Sequence, residues 1–236
     1  KRHMHEHGTT EEQLAEVAVK NHRHGSLNSR AHFGKETTVE EVLDGPIVAD
    51  PFHLHDCCPF SDGAAAVVVT SAEVASELDA EPVTVSGVGH ATDIVPIADK
   101  AHPSVTQSAR DAAGQAYEAA GVGPDDVDVV ELHDCFTGAE VLATEALGLI
   151  EDGQGGPAAA AGRTSLGGEI PVNPSGGLKA KGHPIGATGV AQLVELTEQL
   201  RGDAGDRQVE AADVGLAHNL GGDAATTLVT VLEAAR

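Results

Sequence analysis

Val127–Phe136 reads VDVVELHDCF, and the change of character inside it decides the fold. Val127–Leu132 is an apolar run of strand length, dense enough to be buried on both faces. His133, Asp134, Cys135 and Phe136 follow, and Gly138–Leu147 then carries helical spacing. A buried strand that feeds a helix is the unit of α/β layering. Working outward, the pattern predicts strands over Val83–Val88, Asp213–Ala217 and Ala225–Leu232. Helices are expected over Val105–Ala120 and Ile185–Leu200, with a Gly/Ala-rich loop after Leu147. The alternation means an α/β domain, and the shift of composition at Asp79–Pro82 divides the chain into residues 1–81 and 82–236.

The first part is less regular. TTEEQLAEVAVKNH, from Thr9, reads as a capped helix with acidic residues in its first turn and Leu14, Val17 and Ala18 on one face. Arg23–Lys35 is polar and reads as loop, and Thr38–Leu43 as a second capped helix. A Pro- and Asp-rich connection follows. Ala64–Thr70 (AAAVVVT) is expected to be a strand buried on both faces, and Ser71 to cap a helix reaching Leu78.

Composition narrows the function. Thirty-seven acidic residues against 14 basic ones give a net charge of −23. Nucleic acids and anionic membranes select basic patches, so neither is an expected partner. The acidic excess fits a surface adapted to high salt, where screening has shrunk to about 3 Å at 1 M. No apolar run approaches the ~18 residues of a membrane span. The three cysteines, Cys57, Cys58 and Cys135, form no disulfide framework, and adjacent Cys57 and Cys58 would pair only in a strained ring. A reducing, cytoplasmic setting is expected. With 28 glycines and no tryptophan, the core must be aliphatic and its backbones closely packed.

Three clusters carry chemistry. At the end of the 127–132 strand, where open α/β sheets place ligands, His133 and Cys135 share a face and Asp134 points away. A thiol beside an imidazole serves as nucleophile or base; a buried cysteine beside a capping histidine is the plainer alternative. The second cluster, NPSGGLKAKGHPIGATG at 173–189, combines Gly176 and Gly177, which let backbone approach a ligand, with Lys179, Lys181 and His183. Pro184 suits a first helical turn, so His183 is placed at a helix N-cap, where the dipole keeps it neutral. The third, HNLGG at 218–222, offers backbone N–H groups to an oxyanion or forms a tight turn. His3, His5, His7, His53, His55, Cys57 and Cys58 have spacings seen in zinc ligands but no CxxC pair, and no metal is expected.

Together, HDCF, the GHP segment and HNLGG, in this order and spacing, resemble the C-terminal half of a thiolase. They are most similar to the sterol-carrier-protein-type branch, common in archaea as acetyl-CoA acetyltransferase. RHMHEHGTTEEQLAEVAVKNH at 2–22 and DCCPFSDGAAAVVVTS at 57–72 resemble that branch's loop domain and the end of its N-terminal domain. The resemblance implies a layered α-β-α fold and 3-oxoacyl-CoA synthesis or cleavage, with a coenzyme A thioester as substrate and no further cofactor. It implies Cys135 as the acid/base thiol, His133 and His183 as ligands of the thioester oxygen, and Gly221 as donor to a second oxyanion hole. Lys179, Lys181 and basic residues of segment 1–35 would meet CoA phosphates. The family's nucleophilic cysteine lies in the N-terminal half, so the chain is expected to be inactive without that half or a full-length oligomer, and other acyl-transfer enzymes are further candidate partners in a complex. The alternative is a non-catalytic acyl-CoA-binding or scaffold subunit.

Overall fold

A computed structural model describes residues 1–78 and 81–235. The first part holds helix α1 (Arg2–His7), ended by left-handed Gly8, and α2 (Glu11–Ser26). Thr10 and Gln13 form a reciprocal capping box at the start of α2, satisfying backbone donors that a helix leaves unpaired. Helix α3 (Val39–Leu43) begins with the same device from Thr38 and Glu41. A hairpin of β1 (Ile47–Ala49) and β2 (Phe52–His53) follows, and Ser71 caps the short α4 (Ala72–Ala75).

Three expectations need correction here. Helix α2 runs on through Arg23–Ser26, because its continuation is held by buried polar contacts rather than by apolar periodicity. The helix capped by Ser71 stops at Ala75, short of the expected Leu78; α1 and the β1–β2 hairpin were not expected at all. Ala64–Thr70 is not a buried strand: among the described residues no strand pairs with it, and Val68 and Val69 are 92% and 79% exposed. A strand needs a ladder partner for its backbone groups, whatever its propensity. At the expected boundary, Asp79 and Ala80 lie outside the described residues.

The rest forms a four-stranded sheet of β3 (Val83–Thr92), β4 (Val129–Leu132), β5 (Val214–Gly221) and β6 (Thr226–Ala234), in the order β3-β6-β5-β4. The β4–β5 pair is parallel and the other two are antiparallel. Alternate side chains enter two cores. Val130, Leu216 and Val231 pack with Ala112 and Ala116 of α5 (Gln107–Ala120), while Val129, Ala217 and Leu232 pack with Leu196 and Leu200 on the opposite face. The fold is therefore layered α-β-α. Helix α6 (Thr137–Ala146) leaves the HDCF turn, and α7 (Gly155–Ala160) and the short α8 (Gly177–Ala180) lie in the expected loop. Helix α9 (Thr188–Arg201) supplies Leu196 and Leu200. Helix α5 sits so close to β3 that a Cβ at Gly89 would lie 1.9 Å from the Ala112 carbonyl oxygen.

Candidate active site

The free side of β4 brings the first two clusters together. Residues 171–173 run alongside it: Val130 N donates to Pro171 O at 3.0 Å and Asn173 N to Val130 O at 2.7 Å. Asn173 also accepts Leu132 N–H on its side-chain oxygen at 2.8 Å. Segment 57–61 joins the clusters from the other side. Cys57 bridges Phe136, Phe60 bridges His183, Cys58 N donates to Cys135 O at 3.0 Å, and His183 N donates to Ser61 Oγ at 3.2 Å.

His133, Cys135, His183 and Gly221 line one cavity of about 590 Å³. Its other walls include Phe52, Phe136, Leu142, Ile185, Asn219 and Leu220, so the chemistry-bearing groups stand in a largely apolar chamber. The His133 and His183 rings meet edge to face, 5.0 Å apart. His133 Nδ1 is held by Asn219 Oδ1 at 2.6 Å and His183 Nδ1 by Thr188 Oγ1 at 2.8 Å. Both rings are anchored through Nδ1, which presents their Nε2 edges to a substrate.

Burial sets the protonation of these groups. It pushes the Cys135 thiol up to about 11, with Asp134 and Cys58 adding to the effect and Lys179 opposing it. It also lowers both imidazoles; at His183 the neighbouring His133 adds to that shift, while at His133 the Asn219 bond works against it. The expected N-cap role of His183 is corrected: α9 starts five residues later, at Thr188, so burial rather than a helix dipole keeps this ring neutral.

Beneath the cavity lies a buried ionic lattice. Lys20 Nζ pairs with Glu140 Oε1 at 2.6 Å and donates to Val172 O at 3.0 Å. Asn173 Nδ2 and Asn21 Nδ2 both donate to Glu140 Oε2. These bonds hold α2, α6 and the 172–173 segment to one another.

The residues expected to contact coenzyme A are placed differently. Lys179 is 1% exposed and its ammonium donates to Asp56 O, which turns it inward, away from any phosphate arriving from solvent. Gly176 and Gly177 are buried. Lys181 is half-buried and lines a separate cleft with Arg30 and His32. Among the described residues, the lysines that line the Cys135 cavity are Lys1 and Lys100. His218 is wholly buried in β5 and pushed down to about 3, so it faces the core. Among the described residues no group of three or more His, Cys, Asp or Glu side chains is disposed to hold a metal ion. Asn219 and Thr188, the two ring anchors, lie in the quoted clusters but carry no reactive group that would single them out.

The layered fold and this convergence define the class. The profile of the "Thiolase C-terminal domain-like" family matches residues 89–234, and the chain belongs to that family. It is 48% identical to the "Acetyl-CoA acetyltransferase" of Methanothermobacter thermautotrophicus over 98% of the chain and 60% of that protein. It is 44% identical to "Sterol carrier protein 2" of Rattus norvegicus over 97% of the chain and 43% of that protein. The solved "Ltp2-ChsH2(DUF35) aldolase" superposes on all of this chain with a TM-score of 0.90 at 25% identity, covering 61% of that structure's chain. The chain thus spans about half the length of the curated relatives it matches.

Proposed function

We propose that the chain supplies the proton-handling side of a thiolase that makes or cleaves 3-oxoacyl-CoA. The observation that carries this reading is the single apolar cavity into which Cys135, His133 and His183 converge. In condensation, an acyl group waits on a cysteine of the N-terminal thiolase half. When that cysteine is loaded, Cys135 gives its proton to the departing CoA sulfur; the thiolate so formed takes a proton from the α-carbon of acetyl-CoA while His133 and His183 meet the thioester oxygen as it gains charge. The carbanion attacks the acyl carbon, the carbon–sulfur bond breaks, and Cys135 returns its proton to the departing sulfur. Each preorganised donor is worth about 3–4 kcal/mol to such a transition state. The Gly221 N–H would serve the second oxyanion.

The three cysteines of this chain are poor candidates for the acyl carrier. Burial pushes Cys57, Cys58 and Cys135 all upward, and the thiolate is the nucleophilic form. A thiol raised to about 11 stays protonated at neutral pH, yet its thiolate is a correspondingly stronger base. The acyl-carrying cysteine is therefore assigned to the N-terminal half. That half would also cover the exposed valines of 67–69. Lys1 and Lys100 are better placed than Lys179 for CoA phosphates. The charge of −23 supports a salt-rich setting, and three unpaired cysteines support a cytoplasmic one.

The test is reconstitution with an N-terminal thiolase half, assayed by thiolysis of acetoacetyl-CoA. The chain alone should show no turnover, and the assembly should. Cys135→Ala should then lower kcat about 10²- to 10⁴-fold. An assembly indifferent to Cys135→Ala would favour the acyl-CoA-binding scaffold instead.

A further inference from the structure

The proposed chemistry uses the first and last side chains of His133-Asp134-Cys135 and leaves the middle one idle. Asp134 is fully buried and turned away from the cavity. Its Oδ1 accepts Leu178 N–H at 2.7 Å, and its Oδ2 accepts Asn21 Nδ2 at 2.8 Å and, more loosely, Lys179 N–H at 3.4 Å. Both amides belong to the first turn of α8, whose own N-cap residue is Gly176 and has no side chain to offer. Asp134 therefore caps this helix from a different part of the chain, doing the work of an N-cap carboxylate. The contact is closed on all sides: a Cβ at Gly177 would lie 2.4 Å from Asp134 Oδ2. Helix α8 ends at Ala180, three residues before His183.

We propose that Asp134 is the positioning residue of the site, fixing His133 and Cys135 against His183 by tying their turn to α8 and α2. The inference rests on the reading that these three groups act on one substrate, but its test needs no acyl-CoA. Replacement by asparagine keeps the side chain's length and turns one acceptor oxygen into an NH₂ group. That group then faces either the Asn21 amide or the α8 backbone donors, so at least one bond is lost without opening a void.

Two measurements on Asp134→Asn separate positioning from general support. Hydrogen exchange at Leu178 or at Lys179, whichever α8 amide loses its acceptor, should speed up, about tenfold or more if it is the short Leu178 bond, while β5 and β6 keep their protection. Iodoacetamide alkylation followed by peptide mass spectrometry should show the pH midpoint of Cys135 shifted down, because the Asp134 charge opposes its thiolate. Cys57 is the internal reference, since Asp134 is not among the charges acting on it. Asn21→Ala removes one bond and keeps the charge; it should speed exchange at Leu178 less and leave the Cys135 midpoint in place. It also keeps the claim testable if Asp134→Asn fails to fold. Unchanged exchange at both Leu178 and Lys179 in Asp134→Asn, or exchange accelerated equally throughout the sheet, would overturn the assignment. If exchange at both amides is unchanged while Cys135→Ala still lowers turnover of the assembled enzyme, the positioning claim fails and the thiolase reading survives.

Discussion

Replacing Lys20 by methionine should be among the most damaging single changes in the chain. The ammonium and the Glu140 carboxylate are 2.6 Å apart with side chains only 3% and 2% exposed. Removing one partner of such a pair strands the other, at a cost of about 3–5 kcal/mol, a large share of the roughly 5–15 kcal/mol that holds a domain folded. The deficit should depend on pH with a definite sign. Burial and the nearby Asp134 charge push the Glu140 carboxyl up, while Lys20 opposes them. Without Lys20 the largest opposing influence is gone and burial outweighs what the Asn21 bond still offers, so the folded protein holds its proton more tightly than the unfolded chain does. Stability is then retained below the ordinary carboxylate range and lost as pH rises toward the folded value, by up to about 1.4 kcal/mol per pH unit for one proton. Urea denaturation at pH 5 and pH 8 tests this: the deficit of Lys20→Met should be clearly smaller at pH 5. Adding Glu140→Gln should recover part of the loss at pH 8. It will not recover all of it, because Val172 O still lacks the donor it had. A Lys20→Met deficit under 1 kcal/mol at pH 8, or one equal at both pH values, would refute the reasoning.

Gly89→Ala should destabilise by about 1–3 kcal/mol or more, seen as a lower Tm, because the new methyl meets the Ala112 carbonyl at 1.9 Å and α5 must move away. Glu131 is fully buried and its carboxyl is pushed up to about 8, by burial first and then by Glu195. Its raised value means stability held at low pH and lost as pH climbs toward 8, and Glu131→Gln should flatten that part of a stability-versus-pH curve. The net charge of −23 implies self-repulsion that screening relieves, so Tm should rise between 0.1 and about 2 M KCl; a flat or falling response would count against a salt-adapted surface.

The sheet-forming runs 127–132, 213–217 and 225–232 were legible because burial on both faces demands apolar residues whatever the neighbours are. The helices at 107–120, 137–146 and 188–201 were legible from apolar spacing. Helix α2 was read as ending at His22 because the residues buried beyond it are His24 and Gly25, and no apolar pattern announces a last turn that faces inward with such residues. Ala64–Thr70 was misread for the opposite reason: its composition suits a strand, but pairing is a property of the neighbours. For the site, the reactive residues stand out by type, whereas the segment 57–61 that joins the two clusters is ordinary loop sequence. Lys179 was expected to meet CoA phosphates, yet it is a buried structural charge.

Ala64–Thr70 also bears on how this polypeptide must be handled. Seven uncharged small and β-branched residues in a row, without proline and with open backbone groups, form a template on which further copies can stack into cross-β fibres. Nothing within 64–70 acts as a gatekeeper, the nearest flanking charges being Asp62 and Glu73. A partner that capped that run would protect the molecule from aggregation before it contributed anything to turnover.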